Sequence, residues 1–283
     1  MTTLQPALFL GHGSPMLAIE QGPYSAAWQR LGHELPRPRA ILVVSAHWYT
    51  RGTAVTAMQH PKTIHDFYGF PQALFDVQYP ASGDPALAER VRTLLAPAVV
   101  HADLQEWGLD HGSWSVLRYL YPHADIPVVQ LSIDGTLPPQ AHLDLAHRLK
   151  PLRAEGVLVL GSGNVVHNLR ALDRAGHGKG DPRAVEFDGY VRRAVLAGDD
   201  AALADYASAG ESARWSVPTP EHYLPLLYVL GTRHEGEAAS FPVQGFDLGA
   251  LSMLAVQVGT GQVGTGTVGN AGVDGVQSTA QKQ

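Results

Sequence analysis

Apolar residues gather along the chain in short runs rich in Val, Ile and Leu, at Ala7–Leu10, Ala40–Ala46, Pro127–Ile133, Gly156–Leu160 and Leu251–Val258. Runs of this length without polar alternation predict strands buried on both faces. Helical patterns fill the intervals, at Tyr24–Leu35, Asp84–Leu95, Ser113–Leu120, Gln140–Leu152, Pro182–Leu196 and Glu221–Leu230. Several open on Asp, Ser or Pro at a cap or first-turn position. Strands alternating with helices predict an α/β fold whose sheet is covered on both faces. No break in composition marks a linker within residues 1–258, so a single α/β domain is the simplest reading, with two domains still open. Residues 259–283 are rich in Gly and hold no aromatic side chain. Such a tail buries too little to offset its ordering entropy and is expected to be disordered.

Composition narrows the chemistry. The 283 residues include no Cys, which excludes a disulfide framework, a cysteine zinc finger, an iron–sulfur cluster and a thiol nucleophile. Any metal must therefore sit on His, Asp or Glu. A net charge of −6 gives no general attraction to nucleic acid or to an anionic membrane. No apolar run approaches the ~20 residues of a membrane span, and Met1–Pro6 lacks the pattern of a secretory leader, so a cytoplasmic protein acting on a small molecule is expected. The count that stands out is 14 His against 20 Lys plus Arg, because imidazole is the commonest metal ligand and titrates near neutral pH.

Three of these histidines follow predicted buried strands. His12 ends Leu8-Phe9-Leu10-Gly11-His12, His47 ends Ile41–Ala46, and His167 comes shortly after Val157–Leu160 in Gly161-Ser162-Gly163-Asn164-Val165-Val166-His167. Open α/β sheets bind ligands at the carboxyl ends of their strands. Rigid strands delivering three imidazoles to one such edge would make a metal site, although each histidine alone also reads as an ordinary core or surface residue. His222 opens a helical run behind Pro218 and Pro220, with Glu221 beside it as a second candidate ligand. Neighbouring helical positions point about 100° apart, so the two rarely serve one ion. His111 and His65 sit in loops among aromatic residues and glycines, a setting suited to a flat aromatic ligand and a proton-exchanging imidazole.

Other signatures fail. Gly-x-Gly-x-x-Gly is broken by Met16 and by Val166, and there is no phosphate loop, no His-Glu-x-x-His helix and no Gly-x-Ser-x-Gly elbow. From the residues alone, a zinc hydrolase with Glu221 as base and a non-catalytic aromatic- or metal-binding protein remain alternatives to a redox enzyme.

Six motifs together carry a resemblance. They are Gly11-His12-Gly13-Ser14-Pro15, Ser45-Ala46-His47-Trp48, Thr63-Ile64-His65-Asp66-Phe67, Asp110-His111-Gly112-Ser113-Trp114, Gly161–Asn168 and Pro218-Thr219-Pro220-Glu221-His222-Tyr223. With them, residues 6–258 resemble the class III extradiol ring-cleaving dioxygenases, and most nearly the DOPA 4,5-dioxygenase branch. The resemblance implies a three-layer α/β/α sandwich around a mostly parallel or mixed sheet. It implies one divalent metal on His12, His47 and His222, with His167 as acid–base residue or fourth ligand. Fe(II) is expected for ring cleavage, and Zn(II) occurs in the branch as well. The substrates would be a catechol and O2, and the product a muconic semialdehyde. His111 and His65 would serve the substrate hydroxyl or oxygen, while Trp48 and Tyr223, beside ligands, would line the pocket. The wider superfamily uses two His and one Glu; His222 in the third place leaves the set without ligand charge.

Overall fold

The computed structural model describes residues 4–173 and 178–259. Eight strands form one sheet: β1 (Ala7–Gly11), β2 (Ala40–Thr50), β3 (Thr53–Thr56), β4 (Val100–Asp103), β5 (Val128–Asp134), β6 (Val157–Gly163), β7 (Ala239–Ser240) and β8 (Ala255–Val258). Their order is β4-β3-β5-β2-β6-β1-β8-β7. The central four, β5, β2, β6 and β1, are mutually parallel. Antiparallel pairing enters on both sides, through β3 against β5 and through β8 and β7 beyond β1.

Alternation along the central strands explains the layers, because successive side chains leave a strand on opposite faces. Phe9, Leu42, Val44, Val129, Leu131, Val157 and Val159 join one apolar cluster with α2 (Pro85–Leu95), α4 (Pro139–Arg148), α5 (Pro182–Ala197) and α6 (Leu224–Gly231). Leu8, Leu10, Ile41, Val43, Leu158 and Leu160 join a second cluster with α1 (Pro23–Glu34) and α3 (His111–Leu120). Each large aliphatic side chain so buried contributes about 1.5–3 kcal/mol. The expected three-layer α/β/α sandwich is the observed architecture.

Element boundaries depart from the sequence pattern where proline or a turn intervenes. The predicted Gln140–Leu152 helix stops at Arg148 and a separate turn starts at Pro151, whose missing N–H cannot continue the ladder. The predicted Leu251–Val258 strand is two: Leu251–Ser252 pairs with Phe246–Asp247, while β8 joins the main sheet. The predicted Glu221–Leu230 helix begins only at Leu224, which leaves His222 in the preceding turn. Apart from Gly259, the expected tail lies outside the described residues. No helix among the described residues is long and apolar enough to cross a membrane.

Candidate active site

The carboxyl ends of β1, β2 and β6 converge on one cluster of imidazoles. His12 follows β1 directly and its backbone N–H donates to the Gly163 carbonyl at the end of β6. His47 lies within an irregularity of β2, where the stretch from Val44 to Tyr49 is matched on β5 by the shorter stretch from Leu131 to Ile133. Such a bulge re-aims a side chain that a regular strand would leave pointing elsewhere. The turn bearing His222 rests on the end of β6: the Asn164 N–H donates to the His222 carbonyl at 2.9 Å. A Cβ at Gly163 would strike that same carbonyl, and one at Gly112 would strike His47 and Ser45. Glycine at these two places lets the histidine-bearing segments approach.

Hydrogen bonds fix which ring nitrogen of each imidazole faces inward. Ser162 Oγ donates to the Gly112 carbonyl, so it accepts from His12 Nδ1–H at 3.0 Å. His47 Nδ1 lies 3.2 Å from the Asp66 carboxylate. His222 Nδ1 lies 3.2 Å from Glu221 Oε1, which also accepts from the Thr219 hydroxyl. With protons on all three Nδ1 atoms, the Nε2 lone pairs are left facing the centre. His12 and His47 Nε2 stand 3.2 Å apart, and the buried Nε2 of His222 has no partner. Burial, then the neighbouring imidazoles, push the pKa values of His12 and His222 well below the ordinary histidine range. Neutral rings with converging lone pairs at mutual distances within 4.8 Å are a donor set that fits one divalent ion.

Two further histidines complete the ring. Asp66 accepts from the His111 backbone N–H at 2.9 Å, and its other oxygen sits 3.0 Å from His111 Nδ1. Burial alone would raise the Asp66 pKa, but contact with His111 and His47 holds it far below the usual carboxylate range. His167 stacks on His222 with ring centroids 3.4 Å apart. Burial lowers its pKa to about 4 against the opposing pull of Glu221. All five histidines border a cavity of about 770 Å³, walled on its apolar sides by Leu17, Phe70, Leu169, Leu172 and Leu251. That volume suits a small aromatic ligand.

Three expected pocket residues stand elsewhere. Tyr223 is fully buried in the core among Phe187 and Tyr206, with its hydroxyl donating to the Leu203 carbonyl. Trp48 stacks on Trp107 in a separate surface hollow. His65 donates to the Val77 carbonyl and packs between Phe67, Phe75 and Trp114 behind the cavity wall. Trp48 and Tyr223 point away from the cavity that the preceding His47 and His222 face, so adjacency in sequence is a poor guide to the pocket lining. Sequence reasoning also passed over the residues that orient the rings: Asp66 and Ser162 lay inside quoted motifs, but only the fold brings them to the imidazoles. Asp110 is a third. It caps α3 through the Ser113 N–H and accepts from Ser45, tying α3 to β2 beside His47.

Residues 6–241 match the family described as the catalytic LigB subunit of aromatic ring-opening dioxygenase. The chain is 53% identical over 261 residues to the 4,5-DOPA dioxygenase extradiol of Escherichia coli K12, covering 91% of this chain and 96% of that protein. It is 36% identical to the 4,5-DOPA dioxygenase extradiol of Beta vulgaris, over 88% of this chain and 94% of the relative. A crystal structure of an uncharacterized protein from Escherichia coli K12 superimposes with a TM-score of 0.80 at 48% identity, covering 90% of this chain and all of the other. The chain belongs to the LigB family. It is an extradiol aromatic ring-opening dioxygenase of the DOPA-dioxygenase branch, an enzyme class that uses a metal, O2 and a catechol-type substrate. The hydrolase and pure-binding alternatives fall with that assignment. In this LigB dioxygenase Glu221, the base a hydrolase would need, is turned onto His222 Nδ1 and is not part of the cavity wall.

Proposed function

We propose that His12, His47 and His222 hold one divalent ion, Fe(II) for ring cleavage with Zn(II) as an alternative occupant, and that the substrate is a DOPA-like catechol. The observation that carries this reading is the meeting of three Nε2 lone pairs that have no donor within the protein. When bound, iron(II) supplies the redox chemistry that lets ground-state O2 and the catechol react side by side. The protein's own part is orientation and proton handling. His111 turns Nδ1 to Asp66 and so offers Nε2 as acceptor to a substrate hydroxyl. His167, neutral at pH 7 because of its burial, takes a proton at its ring nitrogen from the catechol and returns it to the oxygen that departs when the O–O bond breaks. Leu17, Phe70, Leu172 and Leu251 give the cavity apolar surfaces against which an aromatic ring packs. The proposed compartment is the cytoplasm, where a chain without cysteine needs no oxidising environment.

Metal-free protein reconstituted with Fe(II) without oxygen, then given DOPA and ¹⁸O2, tests the reading. Ring-opened product carrying both labelled atoms is expected. Product with no label, or a catechol returned intact, would overturn it.

A further inference from the structure

The same cavity that exposes the unpartnered Nε2 of buried His222 also carries Glu20 and Asp247 on its wall, and no Lys or Arg among its described lining residues. Asp247 is held on the short ribbon Phe246–Asp247/Leu251–Ser252, whose Leu251 bridges to His167, so this carboxylate and the acid–base imidazole hang from one small element. The turn between them forces Leu248 into the left-handed region at φ 49, a conformation kept only where the surroundings impose it. Among the described residues neither Glu20 nor Asp247 forms an ion pair. Burial, with a smaller push from the charge of Glu20, raises the Asp247 carboxyl above its ordinary range against the opposing backbone hydrogen bonds of Leu248 and Ser14.

A ligand that brings a cation satisfies this wall, and one that brings only a carboxylate is repelled by it. We infer that Glu20 and Asp247 select catechols whose side chain carries a protonated amine, and that the amine is the group recognised, with a side-chain carboxylate dispensable. This rests on the ring-cleavage reading above for its substrate class and goes beyond it in naming the specificity residues. It also predicts that a catechol with an aminoethyl chain is accepted about as well as the amino acid.

The test compares three catechols that set their charged groups on the same two-carbon spacer from the ring: DOPA, dopamine and 3-(3,4-dihydroxyphenyl)propionate. With Fe(II)-loaded enzyme, kcat/KM for the two amines should agree within about tenfold, and the propionate should fall below both by about tenfold or more, mainly through KM. In Glu20→Gln/Asp247→Asn the amine-to-propionate ratio should drop towards one. Glu20→Gln alone, at an exposed position, should lower the ratio in part and keeps the test available if the double variant does not fold. Propionate turned over as well as DOPA by the unaltered enzyme, or an unchanged ratio in the variants, would overturn the inference. Calorimetric binding of the same catechols to Zn(II)-loaded protein separates the two claims. A binding preference for amines without ring opening of any catechol would sink the reaction and support the subsite; ring opening without such a preference would sink the subsite alone.

Discussion

Arg153 and the histidine cluster are both buried polar centres, yet they are finished in opposite ways. Arg153 is wholly inaccessible, and each guanidinium nitrogen has a partner: Nε the Gln5 carbonyl at 2.7 Å, Nη1 the Thr232 carbonyl at 2.8 Å and Glu237 at 2.6 Å, Nη2 the other Glu237 oxygen at 2.6 Å. The chain supplies everything this charge needs. His12, His47 and His222 are satisfied only on their outer Nδ1 side, and their inner nitrogens face one another. A buried group that the fold completes is structural; a set of buried lone pairs that the fold leaves open is built for a guest.

Breaking each centre should therefore have different consequences. The largest effect is expected for His12→Ala or His47→Ala: metal content measured on purified, reconstituted protein should fall from one ion per chain to near zero, with loss of ring opening. Glu237→Ala would strand the Arg153 charge and cost about 3–5 kcal/mol of stability in denaturant unfolding, while the folded fraction still takes up one ion. Unchanged stability would mean that Arg153 is not the closed centre described. His167→Ala should retain the ion and slow turnover by about 10²-fold, and wild-type-like turnover would remove His167 from proton transfer. Asp66→Asn, which loosens the shared clamp on His47 and His111, should weaken ion affinity by about 10–100-fold in a competition titration, and an unaltered affinity would confine Asp66 to folding.

How far the sequence carried this picture follows from where each residue sits. The central strands were readable because burial on both faces writes an uninterrupted apolar run, and His12 and His47 were readable because they end such runs. Asp66 sits in an irregular segment and meets its partners at positions 47 and 111 only through the fold. Trp48 and Tyr223 were misplaced for a local reason: the residue after one that faces the site faces elsewhere, into a separate hollow for Trp48 and into the core for Tyr223. β4 and β7 are the edges of the sheet and β3 lies just inside β4; at two to four residues each, their patterns are too brief to separate from loops.

The most direct measurement is a crystal structure of the protein loaded with one divalent ion. The account predicts a single ion within about 2.0–2.2 Å of Nε2 of His12, His47 and His222 together. An ion bound elsewhere, or held by only one of these three rings, would contradict it.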